Sequence, residues 1–331
     1  MRPRVVFFTP GLSIGGAERW VVSLCKHIAG CDVAGIYVAG GSYHASVVAE
    51  VRRLGVTLLV PSEEFHCHAI VTWGIPNVRR FTGKTTLPIV EVSHSSSAFP
   101  SQVELLAQSA PQATHHVAVS ESAVSGFPQS YRNRVTVIEN GVDEDRLAVR
   151  RDLRTEWGLS PGHKVALFLG RFAPEKGPDV FLDAVRHLPR EWVAVMVGSG
   201  ELDDALQAQA RTCGHPVVFG RPDTHVGDLY GAADVVCMSS QVEGHPLVML
   251  EAWLAGVPVV TTPFETAKQV VAEHGPVLDV STWDTRAIAE AMASPKTDVE
   301  AAQGLARERY TATAMGERWG EYIHRIVMEA A

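Results

Sequence analysis

The stretch Ala233-Asp-Val-Val-Cys-Met-Ser-Ser-Gln-Val-Glu243-Gly-His-Pro-Leu-Val-Met-Leu-Glu251-Ala-Trp-Leu-Ala-Gly-Val-Pro258 joins two apolar runs of different character through a polar loop. Ala233 to Met238 is short and apolar, as a buried parallel strand is. Leu247 to Ala255 is made of good helix formers, and Gly256-Val-Pro258 ends it. Strand, loop and helix in that order are half of a βαβ unit, so the stretch predicts an α/β fold. Glu243 then lies in the loop at the carboxyl end of the strand, and Glu251 about two turns into the helix at ~3.6 residues per turn. Pro246 suits the helix start, where its missing N–H costs nothing. The N–H groups of Leu247 and Val248 are left for an anion. A carboxylate beside an anion site suits a ligand that carries hydroxyls and phosphates together, as a sugar nucleotide does.

The same alternation runs through the chain. Apolar β-rich runs recur at Val5 to Thr9, Val33 to Val38, Val56 to Val60, Ala69 to Trp73, Pro88 to Val92, His116 to Val119 and Val135 to Ile138. A second series follows at Val165 to Leu169, Val193 to Val197, Val217 to Phe219, Val235 to Met238, Val257 to Thr261 and Val277 to Leu278. Helical pattern fills the intervals, which implies two mainly parallel sheets with both faces covered. The expected fold is α/β, with two doubly wound Rossmann-like domains. The polar segment 144–152 reads as the linker between them. Near the end, Met315, Trp319, Tyr322, Ile323 and Ile326 recur at helical spacing over 312–329.

Length and composition set bounds. A chain of 331 residues suits two α/β domains, and its 46% hydrophobic and 20% charged content is that of a globular protein. A formal net charge of −8 argues against nucleic acid as a partner. Basic and acidic side chains balance over residues 1–146, so the first half shows no basic face for a membrane surface. No apolar run reaches the ~20 residues that span a bilayer. Met1 to Thr9 reads as a first strand, cut short by Pro10-Gly11, and not as a signal sequence. Five cysteines without a Cys-x-x-Cys pair fit a reducing cytoplasm. In His66-Cys67-His68 alternating side chains point to opposite faces, so no metal site is expected there. The excess of arginine over lysine points to a GC-rich bacterial genome.

Four turns, glycine-rich or basic, stand where ligands bind in such folds. Thr9-Pro-Gly-Leu-Ser-Ile-Gly15-Gly16-Ala-Glu18 follows the first strand and opens a helix, and its glycines let backbone N–H groups approach a phosphate. Leu167-Phe-Leu-Gly-Arg171-Phe-Ala-Pro-Glu175-Lys176-Gly177 opens the second domain and sets a fork and a point charge at a strand end. Such a pair can neutralise a departing diphosphate. Val197-Gly198-Ser-Gly200 and Phe219-Gly220-Arg221 end further strands of the same sheet.

Glu-Gly-x-Pro-Leu-Val-x-Leu-Glu-Ala-x-x-Ala-Gly-Val-Pro resembles the glutamate-x7-glutamate signature of retaining glycosyltransferases of family 4, the glycogen synthase and sucrose synthase group. Gly-Arg-x-x-x-x-Lys-Gly and Gly-Gly-Ala-Glu resemble two further elements of that family. The resemblance covers most of the chain and is strongest from 165 to 262. It implies the GT-B fold, two Rossmann-like domains facing across a cleft. Residues 1–146, completed by the helix 312–331 crossing back, would form the acceptor side, and 147–311 the donor-binding side. The implied reaction moves a sugar from a nucleoside diphosphate sugar to an acceptor hydroxyl with retention, and a UDP-sugar is the favoured donor.

The resemblance also implies roles. Arg171, Lys176, Leu247 and Val248 would hold the diphosphate, with Gly15 and Gly16 facing it. Gly198, Gly200 and Arg221 would surround the base, and Glu251 the ribose hydroxyls. Glu243, Gly244 and His245 would meet the sugar, with Glu243 orienting it and stabilising the developing cation. His245 departs from the aromatic or aliphatic residue that relatives carry. His94, just past a strand, would position the sugar, and with Ser120 and Glu121 would touch the acceptor. Glu243, His94, Arg171 and Lys176 form the implied catalytic set. No cofactor and no metal are expected.

The first half is short and its charge is balanced, so the expected acceptor is a soluble small molecule or natural product. Assembly of a cell-surface glycan or glycolipid stays open, as does a catalytically silent binder of sugar nucleotides. A retaining hydrolase would need its two carboxyl groups ~5 to 5.5 Å apart, closer than two helical turns allow. A nicotinamide oxidoreductase would need a Gly-x-Gly-x-x-Gly turn and an acidic residue after the second strand, and both are missing.

Overall fold

The computed structural model describes residues 2–59, 66–83 and 85–330. Val60, expected to end the third strand, and Ala331, in the expected terminal helix, lie outside them. The chain divides into two compact units, Met1–Val142 with Arg309–Ala331, and Asp143–Glu308. These divisions come a few residues before the expected 146/147 and 311/312. The reason is local: the residues from Asp143 onward dock on the second unit, while Arg309 and Tyr310 bond to Glu139 and Val142 of the first.

The first unit contains β1 (Arg4–Leu12), β2 (Asp32–Tyr43), β3 (Leu58–Leu59), β4 (Ala69–Thr72), β5 (Ile89–Ser93), β6 (His115–Ala118) and β7 (Val135–Val137). They form one sheet in the order β3-β2-β1-β4-β5-β6-β7, parallel throughout. The second unit contains β8 (Lys164–Leu169), β9 (Trp192–Val197), β10 (Val217–Gly220), β11 (Val235–Met238), β12 (Val259–Thr261) and β13 (Asp279–Val280), ordered β10-β9-β8-β11-β12-β13. Strand order reverses between β1 and β4 in one sheet and between β8 and β11 in the other. At such reversals the loops at the carboxyl ends part and leave room for a ligand.

Three expected strands need correction: β2 runs past Val38 to Tyr43, pairing Ser42 and Tyr43 with Gly11 and Leu12. β1 does not stop before Pro10: it runs on to Leu12, with a register shift between Thr9 and Gly11 against β2. A bulge accommodates a residue that has no N–H to give, and the Thr9 hydroxyl bonds to both the N–H and the carbonyl of Gly11. The last strand lies at Asp279–Val280 and not at Val277 to Leu278, because pairing with Val260 and Thr261 fixes it there.

The helix Ala312–Glu329 packs in the core of the first unit through Met315, Trp319, Tyr322, Ile323 and Ile326. Trp319 meets Trp20 of the helix Gly16–His27 with ring centroids 5.6 Å apart, and the carbonyl of Gly316 accepts the N–H of Ala29 at 3.0 Å. The second core gathers Phe168, Phe181, Trp192, Met196 and Met292 around its sheet.

One charge-bearing group sits inside the first core. Glu91 faces inward on β5 beside Thr72 of β4 and His116 of β6. It is fully buried, and neither carboxyl oxygen has a hydrogen-bond partner among the described residues. Burial pushes its carboxyl well above the usual range, and the nearby Ser109 hydroxyl offsets only part of this. The folded chain therefore holds a proton that the unfolded chain releases near pH 4.5. This side chain's contribution is full below that pH and is lost as the pH rises above it. Glu91→Gln removes the penalty, so its advantage in Tm should be small at pH 4 and widen steadily as the pH rises to 7.5. A pH-independent difference in the melting of the first unit would refute this.

Candidate functional site

Topology brings the sequence motifs of the second unit together. The loop after β8 and the loop after β11 meet at the reversal of strand order, joined first by backbone. Gly177, left-handed at φ 60, lies so close to Ser239 that a side chain there would strike the Ser239 carbonyl. The Ser239 hydroxyl donates to the Gly177 carbonyl at 2.6 Å, and the N–H of Gln241 to the Glu175 carbonyl at 2.8 Å. On this frame Lys176 Nζ stands 2.6 Å from Glu243 Oε1. Ser240 donates to the same oxygen at 2.7 Å. The pair is partly screened from solvent, with Lys176 24% and Glu243 10% exposed. Thr266, from the helix Glu265–His274, fixes the loop by donating to the carbonyls of Glu243 at 3.0 Å and Gly244 at 2.7 Å.

The helix Leu247–Ala255 starts and stops where the sequence predicts. Pro246 is its N-cap and Gly256, left-handed, closes it. Leu247 and Val248 stand at its first turn, and His245 is buried just before it. Glu251 is only 4% exposed. Arg146 Nη1 lies 3.0 Å from its Oε1, and the Tyr230 hydroxyl donates to its Oε2 at 2.9 Å. Glu243 and Glu251 thus answer to separate sets of donors.

Arg171 is turned outward, 59% exposed and 2.5 Å from Glu175 of its own loop. Arg221 is 84% exposed and clasps Asp223 through two bonds of 3.0 Å. Gly198 and Gly200 lie against the backbone of Gly170 and Phe172, where a side chain on either would collide. The turns after β8 and β9 are thereby held together, with the N–H of Phe172 reaching the Ser199 carbonyl at 3.0 Å.

In the first unit the candidate residues follow β1, β5 and β6. Gly15 is the N-cap of the helix Gly16–His27, and the Glu18 carboxylate folds back so far that a Cβ on Gly15 would meet it. The Ser13 hydroxyl, in the same turn, stands 3.5 Å from that carboxylate. The phosphate-facing position expected for Gly15 and Gly16 thus already has a carboxylate beside it. His94 follows β5 and stands edge-on to Trp20, with ring centroids 4.9 Å apart, and within 6.1 Å of Trp73. Among the described residues its buried Nε2 has no hydrogen-bond partner, and burial pushes the imidazole down to about 4, so it is neutral at neutral pH. Ser120 caps the short helix Glu121–Val124 through the N–H of Ala123, and Glu121 is exposed.

Sequence reasoning missed Ser240, Thr266, Arg146 and Tyr230. Ser240 sits inside the quoted motif and could have been noticed there, but the others lie in segments that carry no signature. Asp143-Glu144-Asp145 has an Asp-x-Asp spacing, yet among the described residues no three His, Cys, Asp or Glu side chains cluster as metal ligands do. No helix among the described residues is long and apolar enough to cross a membrane.

Residues 149–310, nearly all of them in the second unit, match the family Glycosyl transferases group 1. A D-inositol 3-phosphate glycosyltransferase of Xylanimonas cellulosilytica is 36% identical over 160 residues, covering 43% of this chain and 38% of that protein. One from Segniliparus rotundus is 27% identical over 229 residues, 63% of this chain and 51% of its own length. The chain thus spans about a third to a half of the length of these curated relatives. Among solved structures, Anabaena Alr3699/HepE in complex with UDP and glucose aligns with a TM-score of 0.82 over 98% of this chain and 100% of its own, at 20% identity. That likeness shows the fold: two Rossmann-like domains of the GT-B class.

Proposed function

We propose that the chain is a retaining, metal-independent glycosyltransferase that moves a sugar from a nucleoside diphosphate sugar to an acceptor hydroxyl. The observation that carries this reading is the meeting of Lys176, Glu243 and Ser240 at the β8/β11 reversal, beside the start of the helix that bears Glu251. In the reaction the bond from the anomeric carbon to the diphosphate breaks, and a bond to the acceptor oxygen forms on the same face. The acceptor proton passes to the leaving phosphate. Lys176, Arg171 and the free N–H groups of Leu247 and Val248 stabilise the charge that gathers on the diphosphate. Glu243 holds the sugar hydroxyls and faces the positive charge at the anomeric carbon, and Glu251 accepts from the ribose. The neutral His94 offers the sugar a hydrogen bond without adding a cation.

A UDP-sugar is the favoured donor, since the structural neighbour holds UDP and glucose. The curated relatives are named for D-inositol 3-phosphate, which supports a small soluble acceptor and a cytoplasmic reaction.

Calorimetric titration of the purified chain with UDP, GDP, ADP and dTDP, in EDTA, tests the donor site. One of them should bind with an affinity that added magnesium does not change. Arg171→Ala should weaken that binding about tenfold or more, the loss expected for a charge-assisted contact. Failure of all four would leave the donor reading without support, and a requirement for metal would remove the metal-independent mechanism.

A further inference from the structure

Glu251 is a long polar side chain on an otherwise apolar, buried helix. A carboxylate in such a place is tolerated only when both oxygens are hydrogen-bonded. Among the described residues each oxygen has one donor: Arg146 on Oε1 at 3.0 Å and Tyr230 on Oε2 at 2.9 Å. Ionised, the group has about four acceptor positions, so two remain for a ligand. Donors on opposite oxygens fix the plane of the carboxylate, and a fixed plane is what two adjacent hydroxyls need in order to be bound together.

Neither donor is there by accident of a mobile side chain. Arg146 belongs to the turn Glu144–Leu147, and the segment that follows is strapped to the second unit independently of Glu251. Asp228, almost fully buried, accepts the N–H groups of Arg150 at 2.6 Å and Arg151 at 3.0 Å. Gly227 lets the backbone of Leu147 and Ala148 come so near that a Cβ would sit 2.6 Å from each. Tyr230 lies one helical turn beyond Gly227 and is buried against Val248 and Glu251. Burial and the neighbouring carboxylate push its phenol well above the ordinary range, so it stays a donor across the working pH.

We propose that Arg146 and Tyr230 are positioning residues that hold the Glu251 carboxylate in the plane required to take both hydroxyls of the nucleotide ribose, making the segment 143–152 part of the nucleotide site. This rests on the donor-site reading above and adds to it two residues outside every motif, from two different elements.

The test uses substitutions that keep the charge, Tyr230→Phe and Arg146→Lys, so that diphosphate binding is not altered by electrostatics. Each variant and the wild type are titrated with the ribonucleoside diphosphate that the wild type binds best among UDP, GDP and ADP, and with its 2′,3′-dideoxy counterpart. The wild type should prefer the ribose form by about tenfold or more. Each variant should bind the ribose form roughly five- to tenfold more weakly and the dideoxy form within about twofold of wild type. An equal loss on both ligands, or no loss on either, would overturn the positioning role while leaving the donor site intact. A wild type that binds none of the nucleotides would instead remove the donor reading, and this proposal with it.

Discussion

Replacing Lys176 with methionine should lower turnover by about 10²–10³-fold, the range seen when one preorganised donor to a developing anion is removed. The ammonium is held 2.6 Å from Glu243 on a frame of backbone contacts that the substitution does not touch. Ser239 still locks Gly177, and Ser240 still donates to Glu243. Methionine keeps the length of the stem, and water can reach Glu243 from the side on which Lys176 is 24% exposed. Loss of stability should therefore be small, with most of the effect in kcat. Lys176→Arg keeps the charge but replaces a point with a planar fork, and should recover only part of the activity. Arg221→Ala, at a residue that reaches into solvent, is the comparison and should cost far less. Steady-state kinetics with the donor that the titration identifies would decide the matter. Turnover of Lys176→Met within about fivefold of wild type would remove Lys176 from the leaving-group role.

The second large effect concerns stability. Gly320→Ala should destabilise the first unit by about 3 kcal/mol, lowering its melting temperature by on the order of 10 °C. In an ordinary helix the same change stabilises by roughly 0.5–1 kcal/mol, because alanine restricts the unfolded chain. Here a Cβ would land on the Ala29 carbonyl, and one on Gly316 would land on that of His27. These are backbone atoms that cannot rotate away, so the helix Ala312–Glu329 must lift. Its lifting exposes Met315, Trp319 and Ile323, all fully buried. Gly304, on the helix Val299–Arg309, has nothing within 4 Å of the added carbon, and Gly304→Ala should stabilise. Opposite signs for one substitution in two helices would be read by thermal melting, with limited proteolysis showing release of the last helix. Two values of the same sign would mean that the close approach is not what holds that helix.

What could be read from the sequence was what is local. The helix Leu247–Ala255 lies where its composition and its glycine-proline end place it, because period and breakers act within a few residues. The strands were legible for the same reason, and two parallel sheets followed from their alternation with helices. The errors also have local causes. By local rules Pro10 is a stop signal, but a bulge against a neighbouring strand makes a proline acceptable. The last strand was displaced because Asp279 and Val280 carry little apolar signal of their own and are strands only by pairing.

The motif residues could be listed from sequence, but their partners could not. Lys176 and Glu243 are 67 positions apart, and Arg146 and Glu251 are 105 apart. Nothing in either segment alone states that it will meet the other, since those contacts follow from strand order and from the docking of a linker. Tyr230 looks like any aromatic on a short helix until Glu251 stands beside it. Glu91 reads as one polar letter in a buried strand, and only the packed sheet shows that its carboxyl oxygens have no hydrogen-bond partner among the described residues. The sequence by itself determined the fold class, the two sheets and the list of chemically capable residues, because periodicity, turn chemistry and charge are properties of short segments. The tertiary structure alone decided which carboxylate is held by which cation, because a hydrogen bond between distant positions exists only once the strands have been ordered in space.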